Sequence, residues 1–219
     1  MRRIERLLEA LAREPDPHTT VSDRQAALET HVADSLSGLV VDELRGARRI
    51  ADIGAGAGFP GLILAVALPR SHVDLLESAG RKTAVISRLA HAAEIGNARA
   101  VTARAEDWAR TPPALGGGRE GYDAVTARAL GALAVLCEYA APLLREEGVL
   151  VAWKGARSEP EEAGGAEAAG KLGLAVEDVR RVTPFAGARE RHLHVFRKVA
   201  ATPAGFPRRV GRARKRPLG

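Results

Sequence analysis

The sequence predicts an α/β fold, a doubly wound and mostly parallel seven-stranded sheet with one terminal antiparallel strand, preceded by N-terminal helices. Two observations predict it. Beyond Gly46, short β-branched or aliphatic runs alternate with segments of helical period, the pattern of a parallel sheet covered on both faces. Toward the carboxyl side, the last two such runs are joined by loop residues alone, and so short a connection favours an antiparallel pair.

Ile4, Leu7, Leu8 and Leu11 recur at i, i+3, i+4, i+7 with charges between them, which predicts an amphipathic helix that Pro15 and Pro17 end. A second helix starts near Asp23, a good N-cap, and places Leu28, Val32, Leu36, Leu39 and Val40 on one stripe. At 100° per residue His31, Asp34 and Ser35 fall together beside that stripe. Arg49 to Ile53 is the first strand, Pro60 to Leu68 a helix, Val73 to Leu76 the second strand and Gly80 to Ala93 a helix. Ala98 to Thr102 and Tyr122 to Thr126 are the next strands, separated by a Gly- and Pro-rich loop containing Gly116-Gly117-Gly118. Leu130 to Leu144 is a helix and Val149 to Trp153 the fifth strand. Glu159 to Gly173 is a helix weakened by four glycines, and Ala175 to Thr183 and His192 to Val199 are the final pair. The expected organisation is a helical extension over 1–45, a ligand-binding domain over 46–200 and a basic tail over 201–219.

The 219 residues suit one domain with short extensions, and 46% hydrophobic against 27% charged residues is an ordinary globular composition, with disorder expected only in the tail. Cys137 is the single cysteine, so no internal disulfide forms and no metal site is expected. Met1-Arg2-Arg3 is basic like the start of a signal peptide, but Glu5, Arg6, Glu9 and Arg13 stand where its apolar stretch belongs. The longest aliphatic run, Leu62 to Leu68, is far below the roughly 20 residues of a membrane helix. A cytoplasmic monomer with no membrane contact is expected. The net charge of +6 is located rather than spread. Arg208, Arg209, Arg212, Arg214, Lys215 and Arg216 carry all of it beyond Phe206, which points to a polyanion such as nucleic acid, or else to a solvated solubility tail.

Asp52-Ile53-Gly54-Ala55-Gly56-Ala57-Gly58-Phe59-Pro60-Gly61 follows a strand and opens a helix, the context that gives a glycine motif its value. Glycines let the chain turn sharply and approach a ligand closely, and Pro60 suits the first helical turn. Gly56-x-Gly58-x-x-Gly61 also satisfies the dinucleotide fingerprint, so the glycines alone leave NAD open. Asp52 before the first glycine favours S-adenosyl-L-methionine instead, because its carboxylate has the cofactor's cationic amino group to meet and would repel a pyrophosphate. Glu77 ends the second strand, placed to accept ribose hydroxyls of either cofactor, and Arg104-Ala105-Glu106 after the third strand could hold the adenine. These acids could also be helix caps.

With the glycine loop, six further segments carry a resemblance: His31-Val32-Ala33-Asp34-Ser35-Leu36, Arg104-Ala105-Glu106, Val125-Thr126-Ala127-Arg128-Ala129, Trp153-Lys154-Gly155, Arg191-His192-Leu193 and Phe206-Pro207-Arg208-Arg209. In that order they resemble the bacterial ribosomal RNA small subunit methyltransferase G family, also called glucose-inhibited division protein B, through nearly the whole chain. The resemblance implies a class I, Rossmann-like methyltransferase fold. It further implies transfer of a methyl group from S-adenosyl-L-methionine to N7 of a guanine in small-subunit (16S) ribosomal RNA, free or in a ribosomal particle. Carried over, Gly54 and Phe59 would contact the cofactor, beside Asp52, Gly56, Gly58 and Glu77, which the loop and the second strand themselves offer as cofactor-binding residues. Ala105 and Glu106 hold its adenine end, and Arg128 stands where cofactor and substrate meet. Three departures from the family pattern are His18-Thr19-Thr20 where Asn-Leu-Thr is common, the enlarged Gly-rich loop after Trp108, and a longer basic tail.

Guanine N7 is an unprotonated lone pair near neutral pH, so the implied reaction needs positioning more than a strong base. His31 and Asp34, on one helix edge, are candidates for the substrate side beside Arg128, or else a capping pair. Lys154, Arg191, His192, Arg208 and Arg209 are candidate RNA contacts, and any of them could be a surface salt bridge instead. Trp153 reads as core. Two other functions stay open, an NAD-dependent oxidoreductase and a non-catalytic RNA-binding ribosome-assembly factor.

Overall fold

The structure, a computed structural model, describes residues 2–19, 21 and 23–219; Met1 of the basic start and Thr20 of His18-Thr19-Thr20 lie outside the described residues. Among the described residues seven strands form one sheet: β1 (Arg49–Ile53), β2 (His72–Glu77), β3 (Ala98–Thr102), β4 (Tyr122–Arg128), β5 (Leu144–Lys154), β6 (Leu174–Arg181) and β7 (His192–Lys198). Their order is β3-β2-β1-β4-β5-β7-β6. Pairs from β3 through β5 are parallel, and β7 runs antiparallel to both neighbours, so it alone is reversed. The order reverses between β1 and β4, and a ligand crevice opens at such a switch point outside the carboxyl ends of the strands.

Side chains alternate across the sheet, so Ile50 joins the core on one face and Ala51 the core on the other. The first core is covered by α1 (Arg2–Arg13), α2 (Arg24–Ala27), α3 (Asp34–Leu36), α4 (Asp42–Gly46), α5 (Gly61–Ala67) and α6 (Gly80–Ala92). The second is covered by α7 (Ala105–Trp108), α8 (Leu133–Ala140), α9 (Glu159–Lys171) and α10 (Arg212–Lys215). Leu7, Leu8 and Leu11 of α1 are buried as their spacing requires, and Arg88 of α6 holds Glu14 in a two-pronged pair with its Nε at 2.7 Å.

Asp23 caps α2, accepting from the Ala26 N–H at 2.8 Å. The helix then passes through a π-helical turn, Leu28–Ala33, before α3, a widening the apolar stripe does not announce. The helix expected over 130–144 is only Leu133–Ala140, because Ala129 takes a positive φ of 55° and Leu144 already pairs with Tyr122 in β5. The early part of β5 escapes the hydrophobic pattern because Arg145-Glu146-Glu147 face solvent across an irregular register. The Gly-rich loop after Trp108 is tied to the sheet: the Trp108 indole donates to the Tyr122 hydroxyl at 2.8 Å, and that hydroxyl donates to Asp74 at 2.7 Å.

The tail corrects the expectation of disorder. It forms α10, buries Ala213 among the second core, and receives hydrogen bonds from Arg119 on the Phe206 carbonyl (3.2 Å) and Lys171 on the Leu218 carbonyl (2.7 Å). Among the described residues no helix is long and apolar enough to cross a membrane.

Candidate active site

The chain leaves β1 through three glycines with positive φ, Gly54 (66°), Gly56 (57°) and Gly58 (99°), reaches a cis Phe59-Pro60 peptide, and enters α5. Pro60 stands at the cap rather than inside the first turn. The Gly54 and Ala55 N–H groups donate to the Leu76 carbonyl at 2.8 and 3.1 Å, which holds the loop against the end of β2. Gly56 faces open space: a Cβ there would meet nothing nearer than the Gly54 carbonyl at 3.9 Å. At Gly61 the reverse holds, since a Cβ would lie 2.7 Å from Leu75 and 2.8 Å from the Asp52 carboxylate.

Asp52 corrects its expected role. Its carboxylate is buried and does not line the cavity; Oδ2 accepts from the Gly61 N–H at 3.0 Å and Oδ1 from the Thr126 hydroxyl at 2.8 Å. Burial pushes its pKa up to about 6, against the pull of those two hydrogen bonds and the Arg128 charge. Asp52 therefore ties the start of α5 to β4 and sets the shape of the loop from behind. Gly58 likewise lies behind the cavity wall, packed against Leu62.

The cavity opens at the carboxyl ends of β1 to β4 with a volume of about 570 Å³. Gly54 to Ala57 and Phe59 form its floor, Glu77 and Ser78 its β2 side, Ala103 to Glu106 its β3 side, and Arg128 to Leu130 its β4 side. The structure thus brings together Gly54, Gly56, Phe59, Glu77, Ala105, Glu106, Arg128 and His31 of the expected set. Glu77 is oriented by three donors: the Gly56 N–H at 3.2 Å, the Ala79 N–H at 3.0 Å and the Ser78 hydroxyl at 3.3 Å. Glu106 lines the cavity while its Oε1 accepts from the Gly211 N–H of the tail at 3.0 Å.

His31 lies flat on Phe59, ring centroids 4.3 Å apart and planes within 7°, and its Nε2 meets the Thr19 hydroxyl at 3.0 Å. Its Nδ1 is buried and has no partner among the described residues. Burial, seconded by the Arg128 charge, lowers its pKa to about 4, so the imidazole is neutral at neutral pH. Asp34 does not line the cavity; it accepts from Arg128 Nη1 at 2.9 Å, while the same nitrogen donates to the Thr30 carbonyl at 2.9 Å. The Trp153 indole donates to the Asp34 carbonyl at 2.8 Å, and Trp153 is buried as a core residue. Asp34 and Arg128 together lock the helix bearing His31 to the ends of β4 and β5.

The candidate RNA contacts divide. Arg191 is half-exposed, with its Nε 3.7 Å from Asp34, and Arg209 is exposed. Lys154 is engaged with Glu161 at 2.6 Å, His192 is buried with Nδ1 against the Gly155 carbonyl at 2.9 Å, and Arg208 clasps the buried Glu138 with its Nε at 2.7 Å. The three share one cause: each basic group already has an intramolecular partner, in the next element of the chain for Lys154 and far away in sequence for His192 and Arg208. Lys82 and Tyr139 line the cavity without having been singled out, and Arg214, named only for the charge of the tail, lines it too. Lys82 carries a signal, since it begins the helix that follows Glu77; Tyr139 and Arg214 carry none.

Among solved structures the fold is similar to a predicted O-methyltransferase from Agrobacterium tumefaciens, at TM-score 0.58 and 24% identity over 77% of this chain and 81% of that one. It is also similar to fibrillarin of Aeropyrum pernix, crystallised with natively bound S-adenosyl-L-methionine, at TM-score 0.55 and 20% identity over 75% and 72%. Fold and crevice define a class I, Rossmann-like methyltransferase architecture. Sequence makes the assignment specific: residues 4–193 match the model of the rRNA small subunit methyltransferase G family. The chain belongs to that family, and is 40% identical over 200 residues to a ribosomal RNA small subunit methyltransferase G of Roseiflexus castenholzii, covering 91% of this chain and 83% of that protein. With the corresponding protein of Syntrophomonas wolfei it shares 37% over 212 residues, 96% of each chain.

Proposed function

We propose that the chain uses S-adenosyl-L-methionine to methylate N7 of a guanine in small-subunit (16S) ribosomal RNA, as a cytoplasmic monomer. The carrying observation is the cavity at the switch point, whose floor is Gly56 with no side chain to fill it and whose wall is a carboxylate held by three donors. The residues present fit the cofactor: the volume lies within the roughly 300–1,000 Å³ of small-molecule sites, and Glu77 is an acceptor pair suited to a ribose diol. With the Asp52 carboxylate turned away, it no longer discriminates against NAD; family membership does that.

Gly54 to Ala57 and Phe59 would hold the methionine side, Glu77 the ribose, and Ala103 to Glu106 the base. When bound, adenosylmethionine supplies an electrophilic sulfonium methyl group. Guanine N7 brings its own lone pair, so the protein's part is orientation, an effect worth up to about 7 to 11 kcal/mol in favourable systems. His31, neutral and flat against Phe59, offers an uncharged wall that does not oppose the positive charge developing on the guanine. Arg128 fixes that wall through Asp34 and the Thr30 carbonyl. Arg191 and Arg209 remain as phosphate contacts. The test is incubation with labelled adenosylmethionine and small-subunit RNA from cells lacking the modification, followed by nucleoside digestion. N7-methylguanosine is expected; label on another base, or none, overturns the proposal.

A further inference from the structure

The tail meets the cavity. Gly211 N–H donates to Glu106 at 3.0 Å, and Arg214 lines the cavity while donating through Nη2 to the Leu130 carbonyl at 3.1 Å. The base of this arrangement is firm. Arg208 clasps Glu138, which is 1% exposed, and Arg110 donates to the Arg208 carbonyl at 3.0 Å. Ala213 is packed into the core between them, at 1% exposed. Arg214 therefore sits beside Glu106 and Tyr139, a proximity that also shows in the tyrosine: burial, then the Glu106 charge, raises its pKa, and Arg214 opposes them.

We infer that residues 206–216 form a wall of the cofactor cavity and that Arg214 is a binding residue at its nucleoside end. The inference rests on the proposed adenosylmethionine site, in which Ala103 to Glu106 face the base. A planar guanidinium offers that base both a stacking surface and N–H donors, and a guanidinium already braced on the Leu130 carbonyl loses little freedom on binding. Charge-driven RNA binding needs exposed cations. Of the six basic tail residues, Arg208 is committed to Glu138 and Arg214, exposed at the cavity rim, is braced on the Leu130 carbonyl, whereas Arg209, Arg212, Lys215 and Arg216 are exposed away from the cavity lining.

Calorimetry with two probes, S-adenosylhomocysteine and adenosine, tests this on the full chain, on Arg214→Met, on Arg214→Lys and on a chain lacking residues 208–219. Arg214→Met lowers affinity for both probes by the same factor, about tenfold, with an unchanged melting temperature, and Arg214→Lys recovers part of it. The truncated chain melts lower and binds both probes more weakly still. Should Arg214→Met lose homocysteine-adduct affinity but keep adenosine affinity, or keep both, the assignment of Arg214 is wrong. A truncated chain that retains full affinity removes the wall. If the full chain binds neither probe, the cofactor site itself fails, a result seen before any variant is compared.

Discussion

Replacing Arg128 by methionine removes the only hydrogen-bond partner that the buried Asp34 carboxylate has among the described residues. In the native structure Arg128 Nη1 donates to Asp34 Oδ2 and to the Thr30 carbonyl, both at 2.9 Å, and the two side chains are 16% and 8% exposed. Among the described residues Asp34 Oδ1 already lacks a hydrogen bond, with Arg191 Nε 3.7 Å away. The substitution would leave both oxygens without one. Breaking such a pair costs about 3–5 kcal/mol, and the nearby Arg191 together with residual exposure places this case near 3. For a chain of this size that is a fall in melting temperature of roughly 6 to 12 °C. Urea denaturation should show the loss, and adding Asp34→Asn should recover part of it because no buried charge then remains. Single-turnover methyl transfer should fall more than cofactor affinity, since the helix bearing His31 loses its tie to β4. A single variant within about 1 kcal/mol of wild type, or a double variant no better than the single one, refutes the reasoning.

Gly56→Val should cost about 1–2 kcal/mol through its φ of 57° and abolish adenosylhomocysteine binding by filling the floor; retained binding on calorimetry would place the site elsewhere. His31 has a folded pKa below its unfolded value, so protonation favours the unfolded chain, and its contribution is present above pH 6.5 and lost as pH falls toward 4. Relative to wild type, His31→Gln should therefore gain up to about 3 kcal/mol between pH 7 and pH 4, and a pH-independent difference in urea titrations contradicts the buried neutral imidazole. Converting Arg209, Arg212, Lys215 and Arg216 to glutamine should reduce the log–log salt slope of RNA binding by at most about 3 to 4 while leaving adenosylhomocysteine affinity intact. An unchanged slope would assign RNA binding to the body alone.

What the sequence makes legible is what depends on neighbours along the chain. The alternation that places Ile50 and Ala51 on opposite faces, the cap at Asp23 and the positive-φ glycines after β1 are local, and each is written in a few consecutive residues. The direction of a side chain is not. Asp52 precedes the glycines as a ligand-facing acid would, yet its oxygens are taken by Gly61 nine residues on and by Thr126 on an adjacent strand. Arg208 looks like a free cation until Glu138, from α8, is found beneath it. Arg214 enters the cavity only because the tail folds back across the second core, a long-range packing event that composition, read as six basic residues among prolines and glycines, presents as a loose arm, and Tyr139 reaches it from the end of α8.

Whether the crevice between the ends of β1 and β4 takes adenosylmethionine is decided by calorimetric titration of the full chain with S-adenosyl-L-methionine, S-adenosylhomocysteine and NAD. The first two ligands should bind at one site per chain, with binding lost in Gly56→Val, and NAD should not bind. Comparable affinity for NAD, or adenosylmethionine binding that survives Gly56→Val, would contradict it.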